Sequence, residues 1–433
     1  MKETVNPFAD AKPRLSRRGR EARLRVNPEQ APAFMPGSRR VDSHSRGSSI
    51  FLTALLFLFL GFMLIGGNRR NPRMMAASAV YVVFLTVLAY LIFRTGFVSR
   101  YRSIFFSAYG LAFVLGFIPM LLEQRGHLAL TGQDIANLDT PLCHLTIPML
   151  IVPGLVYGVL IFPTKLFSDL GFFPMLFLWL GATLTIGKGW CSWGCFYGGL
   201  DEFFSKLLPK RRLSSRNFNY KLRWFPFALL AVIVLWAFLA LEPVYCSWLC
   251  PFKAVTEFVK PVNLLIWIQT GLFIALFLGL VVVLPLLMKR RTQCGLFCPF
   301  GAFQSLAGLV NPYRVRVDKD KCTQCGACVA ECPTFSITEE TLAKHKVSIS
   351  CARCGRCMEV CPRGAIQYAL LGVPLRGGTE TAARGRFWKE VVRPDSLFVF
   401  AALLFGGIIS GGMVASSLLR ILHFVQTGSL LLK

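Results

Sequence analysis

Apolar runs separated by short basic stretches set the pattern of this chain. Seven uncharged runs, at 49–66, 76–93, 103–122, 172–186, 224–241, 264–288 and 397–419, each approach the roughly 20 residues with which a helix crosses a bilayer. An eighth, 147–163, is broken by Pro148, Pro153, Gly154 and Gly158. A full span there would carry the next loop, 188–223 with eight basic and two acidic residues, to the outer side. A re-entrant or interfacial segment avoids that, because broken backbone is tolerated where protein buries it. The pattern predicts a mainly α, polytopic transmembrane helical bundle of seven or eight spans. In the last run Gly406, Gly407, Ser410, Gly411 and Gly412 make a small-residue face suited to close helix packing.

The apolar rhythm stops twice. Residues 1–48 are polar, with eleven Lys or Arg against five Asp or Glu, and carry no short apolar core with a cleavage site; they read as a disordered cytoplasmic arm. Residues 292–372 are polar and cysteine-rich and read as a small α+β domain. A transmembrane region (49–291) precedes it; a linker (373–395) and a final helix with a tail (396–433) follow.

Charge orients the bundle. Arg94, Arg100 and Arg102 fall between the second and third runs, on the expected cytoplasmic side, whereas the 123–140 loop has one Arg against Glu123, Asp134 and Asp139 and is expected outside. Arg69, Arg70 and Arg73 run against this pattern. The 433 residues are 54% hydrophobic and 16% charged, with a mean hydropathy of +0.54, so lipid is the expected surroundings. A net charge of +26 would suggest nucleic acid in a soluble protein. Here Lys and Arg sit between apolar runs, where membrane orientation accounts for them, and no nucleic-acid partner is expected.

The cysteines carry the chemistry. Cys322, Cys325, Cys328, Cys332-Pro333 and Cys351, Cys354, Cys357, Cys361-Pro362 are two copies of C-x2-C-x2-C-x3-C-P, the bacterial two-cluster ferredoxin spacing, in which the fourth cysteine of each run ligates the other run's cluster. The expected 4Fe-4S ligand sets are Cys322, Cys325, Cys328 and Cys361 for cluster one, and Cys351, Cys354, Cys357 and Cys332 for cluster two. Gly326 and Gly355 suit a backbone that turns tightly beside a sulfide. Zinc also takes C-x2-C pairs, but two repeated four-cysteine runs fit it poorly.

Three C-x3-C pairs each follow an apolar run: Cys191/Cys195, Cys246/Cys250 and Cys294/Cys298. On a helix, residues four apart share a face. Cys191, Cys195, Cys294 and Cys298 are expected at the inner face, where they could jointly hold a further cluster. Cys246 and Cys250, one span away from each, are expected at the opposite face, where with Cys143 and His144 they could hold an outer metal or cluster; a disulfide is the alternative. Trp190, Trp193, Tyr245 and Trp248 around the pairs read as interfacial anchors or as screens against water. Glu123, Asp201 and Glu202 read as solvated loop carboxylates, or as proton carriers for a quinone near the membrane face.

This combination, over roughly 172–369, resembles the membrane polyferredoxins of the NapH and NosR type, associated with periplasmic nitrate and nitrous-oxide reduction, and the related accessory protein of copper oxidases. Cys191/Cys195 and Cys294/Cys298 match the family's C-x3-C motifs, although Phe196 replaces the usual proline after the first; Cys246/Cys250 and Cys143-His144 depart from it. The resemblance implies a bacterial inner-membrane electron carrier, its ferredoxin domain cytoplasmic, linking cytoplasmic donors or the quinone pool to a periplasmic redox system, with other redox subunits of a respiratory complex as partners. The alternative is a maturation factor that reduces metal or thiols for a partner enzyme. His44, His127, His144, His345 and His423 give no pair suited to a haem between spans, and no G-x-G-x-x-G or P-loop motif points to nucleotides.

Overall fold

The computed structural model describes residues 43–117, 119, 148, 172–213, 220–240, 244–256, 263–370 and 383–431. Its main helices are α1 (Arg46–Leu60), α2 (Pro72–Thr95), α3 (Val98–Ala112), α4 (Phe172–Thr185), α5 (Phe196–Leu207), α6 (Phe225–Ala240), α7 (Leu264–Leu276), α8 (Leu284–Met288) and α9 (Pro299–Ala307). Strand β1 (Tyr313–Val317), the short helices α10 (Ala327–Glu331) and α11 (Arg356–Val360), and strand β2 (Ile366–Leu370) form the cysteine-rich module; α12 (Ala383–Val391) and α13 (Pro394–Thr427) follow.

The ends of the helices have local causes. The Asn71 side chain accepts from Met74 N, Pro72 opens α2, and Gly96 at φ 74° closes it. Helix α1 begins at Arg46, its cap Ser45 accepting from Ser48 N, so ordered structure reaches into what the sequence read as the arm. His44 is buried there against Ser396, 2.5 Å away.

Helix α13 is the spine of the bundle. A Cβ on Gly406 would lie 2.5 Å from Trp193 O, and one on Gly407 or Gly411 would strike Leu85 or Leu64; these glycines permit the close approach, while Gly412 faces open space. Helices α3 and α5 also meet at backbone distance, since a Cβ on Gly110 would sit 2.5 Å from Gly199 C.

Five described helices are long and apolar enough to cross a membrane: Arg46–Ile65, Pro72–Thr95, Lys221–Ala240, Leu264–Met288 and Pro394–Thr427. The expected seven or eight is not reached among the described residues. The 103–122 run lies partly and the 147–163 run almost wholly outside them, and α4 has only 14 residues.

Strands β1 and β2 pair antiparallel, Tyr313 opposite Leu370 and Val317 opposite Ile366. Contacts from both ends of the module dock it on the bundle. Phe398 of α13 packs on Tyr368 with ring centroids 4.5 Å apart. Glu359, on α11, accepts from Ser99 N at 2.5 Å and Arg100 N at 3.2 Å, so a module carboxylate caps the first turn of α3, where free N–H groups and the helix dipole favour negative charge.

Candidate functional site

The two halves of the module repeat each other residue for residue. Gln324 and Arg353 both sit at φ 53°, and Gly326 (76°) and Gly355 (80°) take the left-handed turn that opens α10 and α11. Cys332 Sγ accepts from Ser336 N and Cys361 Sγ from Ala365 N, each at 3.2 Å. One cavity is lined by Cys322, Cys325, Cys328 and Cys361, a second by Cys332, Cys351, Cys354 and Cys357; these are the crossed sets named from the spacing. Cys325 is exposed, whereas Cys354 and Cys357 are buried, so the first group faces solvent and the second faces the bundle.

The three C-x3-C pairs share one backbone form. Their second cysteines are extended, at ψ 111° for Cys195, 110° for Cys250 and 114° for Cys298. A following proline enforces that form at Cys250 and Cys298, and Cys195 adopts it without one. The segments of Cys191–Cys195 and Cys294–Cys298 meet, since Asp201 on α5 accepts from Cys294 N and Arg291 donates to Cys191 O. Burial pushes Cys298 up to about 12, with the Cys191 charge adding to the rise. Burial also raises Cys294, and Asp201, Cys195 and Cys298 raise it further against the pull of Arg291. Thiols so placed stay protonated until a metal takes them as thiolates.

Around this group lie charges that the sequence reading had assigned to loops. Arg102, Lys188, Arg290 and Arg291 are 1%, 5%, 1% and 0% exposed, and Asp201 and Glu202 0% and 3%; none of them is a solvated loop charge. Arg291 donates to Cys191 O (2.9 Å) and Ser192 Oγ (2.7 Å). Arg102 donates to Ser192 O (2.9 Å), Cys354 O (3.2 Å) and Glu202 Oε1 (2.6 Å). Lys206, at 3.1 Å, and Arg291, at 3.8 Å, complete the ring around Glu202. Burial alone would raise the Glu202 carboxyl, but Arg102, Lys206 and Arg291 hold it well below the usual range. Burial pushes Asp201 up to about 7 against the Cys294 N–H, which its Oδ2 accepts at 2.9 Å.

Arg102, Lys188, Arg291 and Arg353 share this interior with one firmly ionised carboxylate, Glu202. Isolated buried charge is costly, so the surplus fits four-thiolate iron–sulfur groups, whose own charge is negative. Among the described residues no three His, Cys, Asp or Glu converge on a single-ion site. The thiols of a cubane stand at its corners, further apart than the ligands of one ion.

The segments that carry the inner group and the second module group touch directly. Trp193 Nε1 donates to Arg353 O at 3.3 Å, and Arg353 NH1 to Ile186 O at 2.6 Å. Trp190 and Trp193 are 5% and 0% exposed, packed inside the protein rather than anchoring an interface. Cys246 and Cys250 are buried too, and Tyr245, 0% exposed, has its hydroxyl 3.4 Å from Gln293 Nε2. Phe252 stacks on Tyr197 with centroids 3.7 Å apart. A hydrogen bond and a ring stack thus link residues beside this pair to residues beside the inner group, whereas the sequence reading set the pair at the opposite face. Cys143, His144 and Glu123 lie outside the described residues.

Comparison with known proteins agrees with this division. Residues 170–215, 222–266 and 270–314 each match a 4Fe-4S binding domain, one C-x3-C pair per match, and 314–362 match a 4Fe-4S dicluster domain. The YccM protein of Escherichia coli (strain K12), whose name describes an electron transport protein, is 26% identical over 37% of this chain and 45% of its own length. The methylamine utilization ferredoxin-type protein MauN is 31% identical in Methylorubrum extorquens, over 24% of this chain and 51% of its own length, and 40% identical in Paracoccus denitrificans, over 18% and 28%. The chain spans about half the length of the first curated relatives it matches. No solved structure matches it. The chain thus carries 4Fe-4S ferredoxin-type domains beside helices long and apolar enough to cross a membrane, and it is similar to proteins named for electron transport and as ferredoxin-type.

Proposed function

We propose that the chain relays single electrons through three cysteine-held iron–sulfur groups on the inner side of the bacterial plasma membrane, and that quinone or a redox partner on the far side completes the route. Bound there, each cubane would take up and release one electron. Cys322, Cys325, Cys328 and Cys361 hold the exposed entry group; Cys332, Cys351, Cys354 and Cys357 hold the next; Cys191, Cys195, Cys294 and Cys298 hold the innermost. The observation that carries this reading is the direct seating of Arg353-Cys354 on Ile186 and Ser192-Trp193, through Arg102, Trp193 and Arg353 itself. Trp190 and Trp193 exclude water, and Glu202 fixes Arg102 and Arg291 between the second and third groups.

Iron and acid-labile sulfide, counted on protein purified anaerobically, should reach about 12 of each per chain, four per cubane. Two or fewer irons, or zinc in their place, would overturn the relay. The same sample, once reduced, should be reoxidised by a water-soluble quinone analogue; failure removes quinone and leaves the partner subunit.

The cytoplasmic placement of the module has its own check. A cysteine placed at Glu340, 69% exposed, should react with a membrane-impermeant maleimide only after cells are permeabilised. Labelling of intact cells would invert the topology.

A further inference from the structure

We propose that Lys188 is the buried counter-cation of the innermost four-cysteine group and raises the reduction potential of that group. The inference rests on the reading of that group as an iron–sulfur site.

Lys188 follows Gly187, which takes the left-handed turn (φ 54°) after α4, and the side chain points into the protein, 5% exposed. Its Nζ donates to Gly301 O at 2.7 Å and Ser305 Oγ at 2.6 Å. Both acceptors are neutral, and among the described residues no carboxylate lies within ion-pair distance of it. Arg102 and Arg291 have Glu202 beside them; Lys188, like Arg353, is held by neutral acceptors. A Cβ built on Gly301 would lie 3.8 Å from both Lys188 Nζ and Cys298 Cβ, so the ammonium flanks the loop that carries Cys298. The charges that act on it are, in falling order, those of Cys191, Cys298, Cys294 and Cys351. Three belong to the innermost group and the last to its neighbour.

An ammonium buried without a carboxylate is expensive unless an anion is nearby. An added electron makes an iron–sulfur group more negative, and a fixed positive charge at short range in a poorly screening interior stabilises that state more than the oxidised one. In a transfer between neighbouring groups one loses an electron and the other gains it; no bond or proton moves. In the entry group the charges acting on Cys328 are those of other cysteines alone, whereas the second module group has the buried Arg353 guanidinium beside Cys351.

The test is a redox titration followed by electron paramagnetic resonance on full-length protein, comparing Lys188→Gln, Lys188→Met and Lys188→Arg with wild type. The expected result is a negative shift of the innermost midpoint in Gln and Met, a smaller one in the second group, none in the entry group, and return towards wild type in Arg. Loss of the innermost signal in Gln and Met, but not in Arg, also supports the role. An unshifted innermost midpoint at full iron content, an equal shift of all three signals, or loss of the signal in all three variants overturns it. Wild-type protein with only the two module signals would refute the four-cysteine group itself and the inference with it.

Discussion

Cys294→Ser removes one iron–sulfur group and leaves two, so that iron falls from about 12 to about 8 atoms per chain, four for each cubane. The thiol cannot be spared, because its neighbours are already committed. Cys294 lies with Cys195 and Cys298 in one electrostatic group, and Cys298 with Cys191, and a cubane corner left to a serine hydroxyl holds iron poorly. The module groups should keep their signals, since Cys332, Cys351, Cys354 and Cys357 line a separate cavity. Cys246→Ser provides the contrast and should leave about 12 irons, because that pair lies outside the proposed ligand sets. An unchanged iron count in Cys294→Ser, or an equal loss in Cys246→Ser, would mean that the innermost set has been chosen wrongly.

Glu202→Ala should be the most damaging single change away from the cysteines. It would leave Arg102 and Arg291, 1% and 0% exposed, facing each other without their shared carboxylate, and removing one member of a buried charge network costs about 3–5 kcal/mol. The pH dependence has a definite sign. The folded carboxyl sits well below its usual value, because Arg102, Lys206 and Arg291 outweigh the upward push of burial. Its contribution is therefore present above the ordinary carboxylate range and fades as acid protonates it. Thermal unfolding in detergent at neutral pH should separate wild type from variant widely, and the gap should narrow in acid. A neutral-pH loss below about 1 kcal/mol, the range of an exposed pair, would mean that the cations find other partners.

Much of the site was legible because it is written in local spacing. Two residues between cysteines, a left-handed glycine after the second, and an extended cysteine after the last helical turn are short-range facts, and they recur at Gln324-Gly326 and at Arg353-Gly355. The repeat even tolerates Phe196 in place of a proline, since Cys195 takes the same extended form as Cys250 and Cys298. The small-residue face of the last span was equally plain, because a helix alone fixes which residues share a side.

The charged residues were not legible. Arg102, Lys188, Arg290 and Arg291 lie beside apolar runs, as cytoplasmic loop residues do, and Asp201 and Glu202 sit in a basic stretch; nothing within a few positions of any of them says that it is buried. Glu359 gives no sign that it caps α3 from 260 positions away.

The sequence by itself determined that this chain is mainly helical, with runs long and apolar enough to cross a membrane, and that its ferredoxin-type cysteines fall in two repeated runs, because hydropathy over about 20 residues and thiol spacing over a dozen act on the backbone directly. Only the tertiary structure decided which pairs of cysteines meet, and which charges leave water to surround them. That choice depends on what packs over a side chain: the Cys351–Cys357 loop is brought against Ile186–Trp193 by helices far apart in the chain, and a charge beneath such a contact is held by its partners rather than by solvent.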